Sequence, residues 1–241
     1  MKNLHIIAIA LFFTISCTYA QNLTSTDFNS NAAGQPIKFN NFKRQAAILS
    51  GSFSSLKETT TATDGSVYLF DSWNNTTIIK VNKKNYTFGN FNFNISKGEF
   101  MSQIEGDSIY IFDFRSIDKV IVNGKEFKSF FSPLEGKEKV FEVIYENTDF
   151  SILKKYSLKI IESSPDPMLN RSKNKIIKIE TYYIMKGTTF TPFKLKKKFI
   201  TELVEKNITI PVLDVYVKSN NLSYRNENDL KKIFNYSYKT K

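Results

Sequence analysis

Short runs of aromatic and β-branched residues, separated by turn residues, occupy the chain from about residue 51 to residue 195. This pattern is typical of strands joined by tight turns. Phe91, Phe93 and Ile95 alternate with asparagines, which predicts a strand with one buried face. Because no helical period separates successive runs, the strands are expected to pair antiparallel. The pattern therefore predicts a mainly β (α+β) fold, in which an antiparallel meander forms a barrel-like or curved sheet.

Two segments predict tight hairpins. Asn123 and Gly124 separate two apolar runs, and a type I′ turn needs two residues that accept positive φ. Residues 176–185 and 189–195 are expected to pair in a similar way across Lys186 and Gly187. These hairpins place the antiparallel β domain at residues 51–195.

The remaining residues, 196–241, change to a helical period. Leu230, Ile233 and Phe234 form an apolar stripe, with Asn226 or Asn228 as the candidate N-cap. A stretch around 199–204 and another behind Pro211 show the same spacing. We expect about three short helices, which form a C-terminal cap over one edge or mouth of the sheet.

The first 20 residues have the pattern of a cleavable signal peptide. Lys2 precedes an apolar run at residues 6–15, and Thr18 and Ala20 are small residues at the positions that a signal peptidase inspects. The run is shorter than the ~20 apolar residues that span a bilayer. We expect cleavage after Ala20, and therefore a periplasmic or secreted protein in which residues 21–50 are a polar lead-in. The alternative is a lipid anchor at Cys17, which follows Thr14-Ile15-Ser16.

Cleavage after Ala20 would remove His5 and Cys17, the one histidine and the one cysteine of the chain. The mature protein would then lack the residues of Ser-His-Asp and Cys-His catalysis and of the usual zinc and copper sites. We therefore expect no enzyme activity, no cofactor and no metal. The enzyme alternative is a glycoside hydrolase with two carboxyl groups, because that chemistry needs only an acid pair. The candidate acids are Asp64, Asp71, Glu99, Glu105, Asp107 and Asp113.

Positive charge is concentrated in the second half of the chain. Residues 21–150 carry 14 Lys and Arg against 15 Asp and Glu, whereas residues 151–241 carry 19 against 8. A basic surface outside the cytoplasm could contact anionic lipids or polysaccharides. The alternative is an ordinary solvated surface, and export argues against nucleic acid as the partner. The candidate anion-contact residues are Arg171, Lys173, Lys175, Lys178, Lys194, Lys196, Lys197 and Lys198.

Trp73 is the single tryptophan of the chain and follows an apolar run. Its ring is a candidate stacking surface for a small apolar ligand, and its alternative role is a plug at the end of a strand. A barrel-like sheet lined by aromatic residues could enclose such a ligand.

Three segments resemble exported proteins of flavobacteria and their relatives, the Bacteroidota. They are GSVYLFDSW at residues 65–73, DKVIVNGKEFKSF at residues 118–130 and SNNLSYRNENDLKKIFNYS at residues 219–237. The resemblance implies export and a bacterial origin, and it carries no activity, substrate or catalytic residue with it.

The sequence thus leads to three hypotheses of function. The first is an exported, non-enzymatic binding or interaction protein of the bacterial envelope, whose partner is a small apolar ligand or an anionic envelope polymer. The second is an adhesion or scaffold protein that uses the basic C-terminal half on anionic polymers or lipids. The third is the acid-pair hydrolase.

Overall fold

The computed structural model describes residues 25–27, 42, 46, 49–56, 63–105, 107–133, 135–163 and 173–239. The predicted signal peptide, Cys17, Arg171 and most of the 21–50 lead-in lie outside these residues. Within the lead-in, Phe42, Ala46 and Leu49 are buried in the hydrophobic core.

In the described residues, 14 strands form two sheets. The long sheet has the order β1-β5-β4-β9-β10-β11-β12-β13-β14, with β3 paired to β13, and the small sheet has the order β2-β8-β7-β6. The strands are β1 Ser25–Asp27, β2 Gly51–Ser55, β3 Thr63–Asp64, β4 Thr77–Val81, β5 Lys84–Phe88, β6 Phe91–Asn94, β7 Glu99–Gln103, β8 Ser108–Phe112, β9 Lys119–Val122, β10 Lys125–Ser132, β11 Lys137–Glu146, β12 Ser151–Ile161, β13 Asn174–Lys186 and β14 Thr189–Phe193.

The prediction of a mainly β fold with curved, largely antiparallel sheets is confirmed, but the barrel-like alternative is wrong. The long sheet is open, because β1 and β14 form its two edges. The chain also leaves this sheet after β5 to form β6–β8 and returns as β9 beside β4. Two pairs are parallel, β1 with β5 and β3 with β13. The strands therefore do not follow a single meander.

The predicted hairpin turns are confirmed. Asn123 and Gly124 join β9 to β10 with φ angles of 50° and 78°, as a type I′ turn requires. Gly187 has a φ of 57° in the turn between β13 and β14. Local turn chemistry therefore sets the register of both pairs.

The prediction that β6 has only one buried face is wrong, since all four of its residues are buried. Residues 67–70 lie along the edge of this strand. The Asn92 side chain accepts a hydrogen bond from the Phe70 amide at 3.1 Å and donates one to the Phe70 carbonyl at 2.9 Å. Because these bonds satisfy the amide, burying the polar face does not leave an unpaired group.

The described part of the C-terminal segment forms three helices: α1 Lys197–Val204, α2 Ile210–Ser219 and α3 Glu227–Lys239. Pro211 lies in the first turn of α2, where a missing amide hydrogen has no cost. Asn226 caps α3, because its Oδ1 accepts hydrogen bonds from the amides of Asn228 and Asp229. The prediction of about three short C-terminal helices is confirmed, but they pack on one face of the long sheet instead of covering an edge or mouth.

Two hydrophobic cores lie on the same face of the long sheet. The first core lies between the small sheet and strands β4, β5, β9 and β10, and its largest side chains include Phe88, Phe100 and Phe127. The second core lies between β11–β14 and the helices, and it includes Ile152 and Phe234. One face of the long sheet therefore packs against the small sheet at one end and against the helical cap at the other.

Candidate functional site: a cleft between the two sheets

An open cleft separates the small sheet, including its β6–β7 turn, from β10, β11 and β12 of the long sheet. It consists of two compartments, with volumes of about 410 and 460 Å³. Gly98, Glu138 and Val140 line both compartments and so join them. We call the two together the inter-sheet cleft.

The turn between β6 and β7 forms one wall of the inter-sheet cleft. Asn94 holds this turn, because its Oδ1 accepts the Lys97 amide at 3.0 Å and its carbonyl accepts the Gly98 amide at 2.8 Å. Gly98 has a φ of 73°, a conformation that side-chain-bearing residues rarely adopt. The turn is therefore fixed by local hydrogen bonds, and it places Lys97 at the rim.

The first compartment has an apolar floor. Its floor contains Phe93, Ile95, Val140 and Leu158, all packed in or against the first core. Lys97 and Glu138 lie at its rim. Lys137, Lys139 and Lys155 belong to the same wall, but strand alternation turns their side chains to the opposite face of the long sheet from Val140 and Leu158.

Lys139 and Lys155 share one carboxylate on that opposite face. Both bind Glu135, the former at 2.7 Å. Hydrogen bonds from these two lysines hold the pKa of Glu135 at about 2. At the rim, Lys97 forms no ion pair within 4 Å in the part of the chain that the structure describes.

The second compartment is lined by three carboxylates and one guanidinium group, and we call it the acidic compartment. Arg115 and Asp113 neutralise one another at 2.7 Å, and this hydrogen bond lowers the pKa of Asp113. Glu138 accepts a hydrogen bond from Ser129 at 2.6 Å. One carboxylate oxygen of Glu99, Oε2, is buried without a hydrogen-bond partner among the described residues. Carboxylates therefore outnumber basic groups in this compartment.

A buried charge network lies on the same sheet face, between the two hydrophobic cores. Phe127, Glu142, Lys154, Tyr182 and Phe193 are directly paired across β10–β14, so their side chains share one face. Phe127 belongs to the first core and Phe193 to the second. The charged residues therefore fill the boundary between the small sheet and the helical cap.

Lys154 is the centre of this buried charge network. Its side chain is 3% exposed, and its Nζ lies 3.1 Å from Glu142 and 2.8 Å from Glu227 of α3. Tyr156 donates a hydrogen bond to Glu142, and Tyr182 donates one to Glu227 at 2.6 Å. The two tyrosine rings also lie 5.2 and 5.9 Å from the Lys154 ammonium. Each buried charge thus has at least two partners.

The environment of this network shifts four pKa values. Burial by itself favours neutral forms, yet the ion pairs outweigh it: the pKa of Lys154 is raised and that of Glu227 is lowered. Burial raises the pKa of Tyr156 and Tyr182, and their hydrogen bonds to Glu142 and Glu227 raise it further. All four shifts favour the charge states that the network needs at neutral pH.

These shifts predict how stability depends on pH. The lowered pKa of Glu227 gives stability that is present above its usual value of 4.5 and is lost as pH falls through the folded-state pKa. The raised pKa values of Tyr182 and Lys154 give stability that is lost as pH rises beyond 10.0 and 10.5, respectively. We expect the free energy of unfolding from urea titrations to be greatest between these limits. In the Glu227→Gln variant, the free energy of unfolding should fall less steeply as the pH is lowered. An equally steep fall in wild type and variant would contradict this account.

The structure separates the lysines that the sequence grouped as an anion-contact patch. Tyr182 of β13 pairs with Phe193, the last residue of β14. Lys175 lies seven residues before Tyr182, so it is about 23 Å away along β13 from the point where the lysines after β14 begin. Lys178 binds the Leu69 carbonyl at 3.0 Å and Asp71 at 3.1 Å. Lys173 lies beside Lys175, whereas Lys194, Lys196, Lys197 and Lys198 follow β14 at the start of the helical cap, where Lys197 binds Asp214 at 2.7 Å.

Trp73 is half-buried and lies in the segment between β3 and β4. Its ring packs against the Tyr68 ring in an edge-on arrangement, with 4.9 Å between centroids. Neither compartment of the inter-sheet cleft is lined by Trp73.

The acids named from the sequence lie in different places. Asp71 pairs with Lys178 and Asp113 with Arg115, while Glu99 lines the acidic compartment. Asp64, Glu105 and Asp107 are exposed. Among the residues that the structure describes, no three His, Cys, Asp or Glu side chains form a group that could hold a metal ion.

Sequence reasoning missed the residues that line the inter-sheet cleft. They come from three separate segments, at residues 93–98, 137–140 and 155–158. The sequence analysis relied on clusters of basic residues along the chain, and no such cluster marks these positions. Only the packing of the two sheets brings the three segments together.

A comparison of the chain with protein-family models, curated proteins and solved structures finds no match. In the described part of the chain, none of the helices has the length and apolar character needed to cross a membrane. The fold and the inter-sheet cleft define a two-sheet β protein with a helical cap.

Proposed function

We propose that this chain is an exported, non-enzymatic binding protein of the bacterial envelope, and that the inter-sheet cleft holds its ligand. The observation that carries the proposal is the combination of an apolar floor with a charged rim in one concave site. Small-molecule sites typically have volumes of about 300–1,000 Å³, apolar walls and a few polar groups. Each compartment falls in this range.

The floor of the inter-sheet cleft is preformed. Phe93 is 4% exposed and packs against the Phe100 ring with 4.6 Å between centroids. Val140 and Leu158 come from neighbouring strands of the long sheet and pack against the same core. Binding would therefore need little reorganisation, which lowers the entropic cost of association. Residues 1–20 support export, and they are the basis for placing this binding protein in the envelope.

The geometry favours this function over the two alternatives. An adhesion surface would use the basic residues of the C-terminal half, yet these lie at separate places and Lys178 and Lys197 already have carboxylate partners. An acid-pair hydrolase needs two carboxyl groups in an open cleft. The closely spaced carboxylates Glu142 and Glu227 are instead bridged by Lys154, and neither lines the inter-sheet cleft.

Filling the inter-sheet cleft should abolish ligand binding. Val140→Trp places a large ring at the junction of the two compartments, where Val140 is half-buried. We expect wild-type protein to enhance the fluorescence of the neutral apolar probe N-phenylnaphthylamine. The enhancement should be lost in Val140→Trp, because the ring occupies the space that the probe needs.

Val215→Trp is the matched control. Val215 is 65% exposed on α2 and lines a separate apolar depression of about 450 Å³ with Val212 and Tyr216. This variant should leave probe binding unchanged. Loss of binding in Val215→Trp with full binding in Val140→Trp would contradict the assignment of the site, as would a wild-type protein that does not bind the probe.

A further inference from the structure

We propose that the inter-sheet cleft binds an extended peptide segment of a partner protein, in which apolar and acidic residues alternate, and that the backbone of this segment pairs with the open edges of β11 and β12. This inference rests on the proposed function and adds the chemical class of the ligand. Three observations support it, and they concern the end of the β11–β12 ladder, the lining of the cleft and the two faces of the long sheet.

The first observation is that the β11–β12 ladder ends well inside both strands. The last pair at this end of the ladder is Glu142 with Lys154. Before this pair, residues 137–141 of β11 are paired with β10, and after it residues 155–161 of β12 are paired with β13. Among the described residues, each of these two stretches therefore has a ladder partner on one side, and its other edge is open to a further strand.

The second observation is that these open edges face the inter-sheet cleft. The first compartment is lined by the consecutive residues 137–140 of β11 and 155–158 of β12. Because successive side chains of a strand point to opposite faces, consecutive residues line one space where that space meets the edge of the strand. The first compartment therefore lies between the two edges, where alternate residues direct their backbone amides and carbonyls away from the neighbouring strand and toward a ligand.

The third observation is that the two faces of the long sheet differ beside these edges. We call the face that carries the two hydrophobic cores the inner face and the opposite one the outer face. An extended peptide between the edges would present its side chains to the two faces in alternation. On the inner face they would contact Val140 and Leu158, above the core residues Phe93 and Ile95. Apolar side chains would bury this surface, so the inner positions of the peptide are apolar.

On the outer face the peptide would meet lysines from both strands. Strand alternation places Lys137 and Lys139 of β11 and Lys155 and Lys159 of β12 there. Lys139 and Lys155 converge on the carboxylate of Glu135, so an acidic side chain fits between the two strands. Lys137 and Lys159 are exposed and form no ion pair within 4 Å in the described part of the chain. Acidic residues at the outer positions of the peptide would gain charge-assisted hydrogen bonds from them.

The test measures the binding of fluorescein-labelled peptides by fluorescence anisotropy. The alternating peptide contains Val-Glu-Val-Glu-Val, and the lysine peptide has lysine in place of both glutamates. The shuffled peptide contains Val-Val-Val-Glu-Glu, and the methylated peptide has the alternating sequence with a methyl group on every backbone nitrogen. We expect the wild-type protein to bind the alternating peptide at least about tenfold more tightly than the other three, the effect of one or more charge-assisted or backbone hydrogen bonds.

The matching variant is the double substitution Lys137→Glu and Lys159→Glu. It should bind the alternating peptide at least about tenfold more weakly and the lysine peptide more tightly than the wild-type protein does. The double substitution Lys206→Glu and Lys231→Glu is the control, because it makes the same change of charge at exposed lysines that do not line the inter-sheet cleft. Thermal unfolding curves show that each variant is folded.

Hydrogen exchange followed by mass spectrometry locates the bound peptide. Residues 137–141 and 155–161 should become protected when the alternating peptide binds, because their open amides then form hydrogen bonds. Protection confined to other segments would overturn the assignment to these strand edges. Protection of the same two segments that rises with protein concentration in the absence of peptide would identify a second copy of this chain as the occupant, and would overturn the partner protein.

The outcomes distinguish this inference from the proposed function. If the wild-type protein binds N-phenylnaphthylamine in the cleft but none of the peptides, the peptide ligand is wrong while the binding function stands. If it binds neither the probe nor any peptide, both fail. Full affinity for the methylated peptide would overturn backbone pairing. Equal affinity for the lysine or the shuffled peptide, or full affinity of the folded Lys137→Glu and Lys159→Glu variant for the alternating peptide, would overturn the alternation of apolar and acidic residues.

Discussion

Replacing Lys154 by alanine is expected to lower the free energy of unfolding by about 3 kcal/mol, the lower end of the usual cost of removing one partner of a buried ion pair. The substitution leaves Glu142, which is 5% exposed, and Glu227 close together without the ammonium that bridges them, although Lys125 still binds Glu142 at 3.0 Å. It also removes the ion pair between the long sheet and α3, while Tyr182 still donates its hydrogen bond to Glu227. Urea denaturation at neutral pH measures the change.

Lys155→Ala is the matched control, because it makes the same substitution at the next residue. Strand alternation places Lys155 on the opposite face from Lys154. Its partner Glu135 is 34% exposed, and such surface ion pairs contribute about 0–1 kcal/mol. If the two variants lost the same stability, the claim that Lys154 joins the sheet to the cap would be wrong.

Phe234→Ala in α3 should cost a similar amount, about 3–5 kcal/mol, through a cavity in the second core. Phe234 is 0% exposed, and its ring stacks on Tyr145 with 4.7 Å between centroids and packs edge-on against Phe150 at 5.6 Å. Since these partners belong to β11 and to the segment before β12, the loss weakens the docking of the cap on the sheet.

Thermal and urea denaturation followed by circular dichroism measure this second effect. Phe199→Ala in α1 is the control, because Phe199 is also a helical phenylalanine but is 38% exposed. We expect it to cost about 1 kcal/mol, in line with its smaller buried area. Equal losses in the two variants would show that Phe234 does not anchor the cap.

Local features of the fold could be predicted from the sequence, because their causes are local. Asn123 and Gly124 accept positive φ, and this property alone specifies the turn between β9 and β10. The stripe of Leu230, Ile233 and Phe234 is buried as its spacing predicts. In both cases the residues that determine the structure lie within a few positions of one another.

The division into two sheets could not be predicted in the same way. It depends on the pairing of β4 with β9, whose partners lie about 40 residues apart along the chain. No turn motif specifies such a contact, since it forms through burial of side chains from distant segments. The buried Asn92 illustrates the same limit: its polar side chain suggested a solvent-exposed face, whereas residues 70 and 72 supply its hydrogen-bond partners.

The candidate site was hidden for a related reason. Strand alternation predicts that Lys154 and Lys155 point to opposite faces, but not that Lys154 lies in a buried charge network while Lys155 binds Glu135 on the other face. Runs of lysine along the chain, such as 196–198, are easier to notice than lysines brought together by folding. Sequence clustering therefore identified other basic residues than Lys97 at the cleft and Lys154 in the buried charge network.

The central claim is that the inter-sheet cleft holds a ligand, and native mass spectrometry of protein purified gently from its own cell envelope tests it most directly. The account predicts an added mass on the wild-type protein that disappears on denaturation and is missing from Val140→Trp. A wild-type protein without added mass, or the same added mass on the folded Val140→Trp variant, would contradict it.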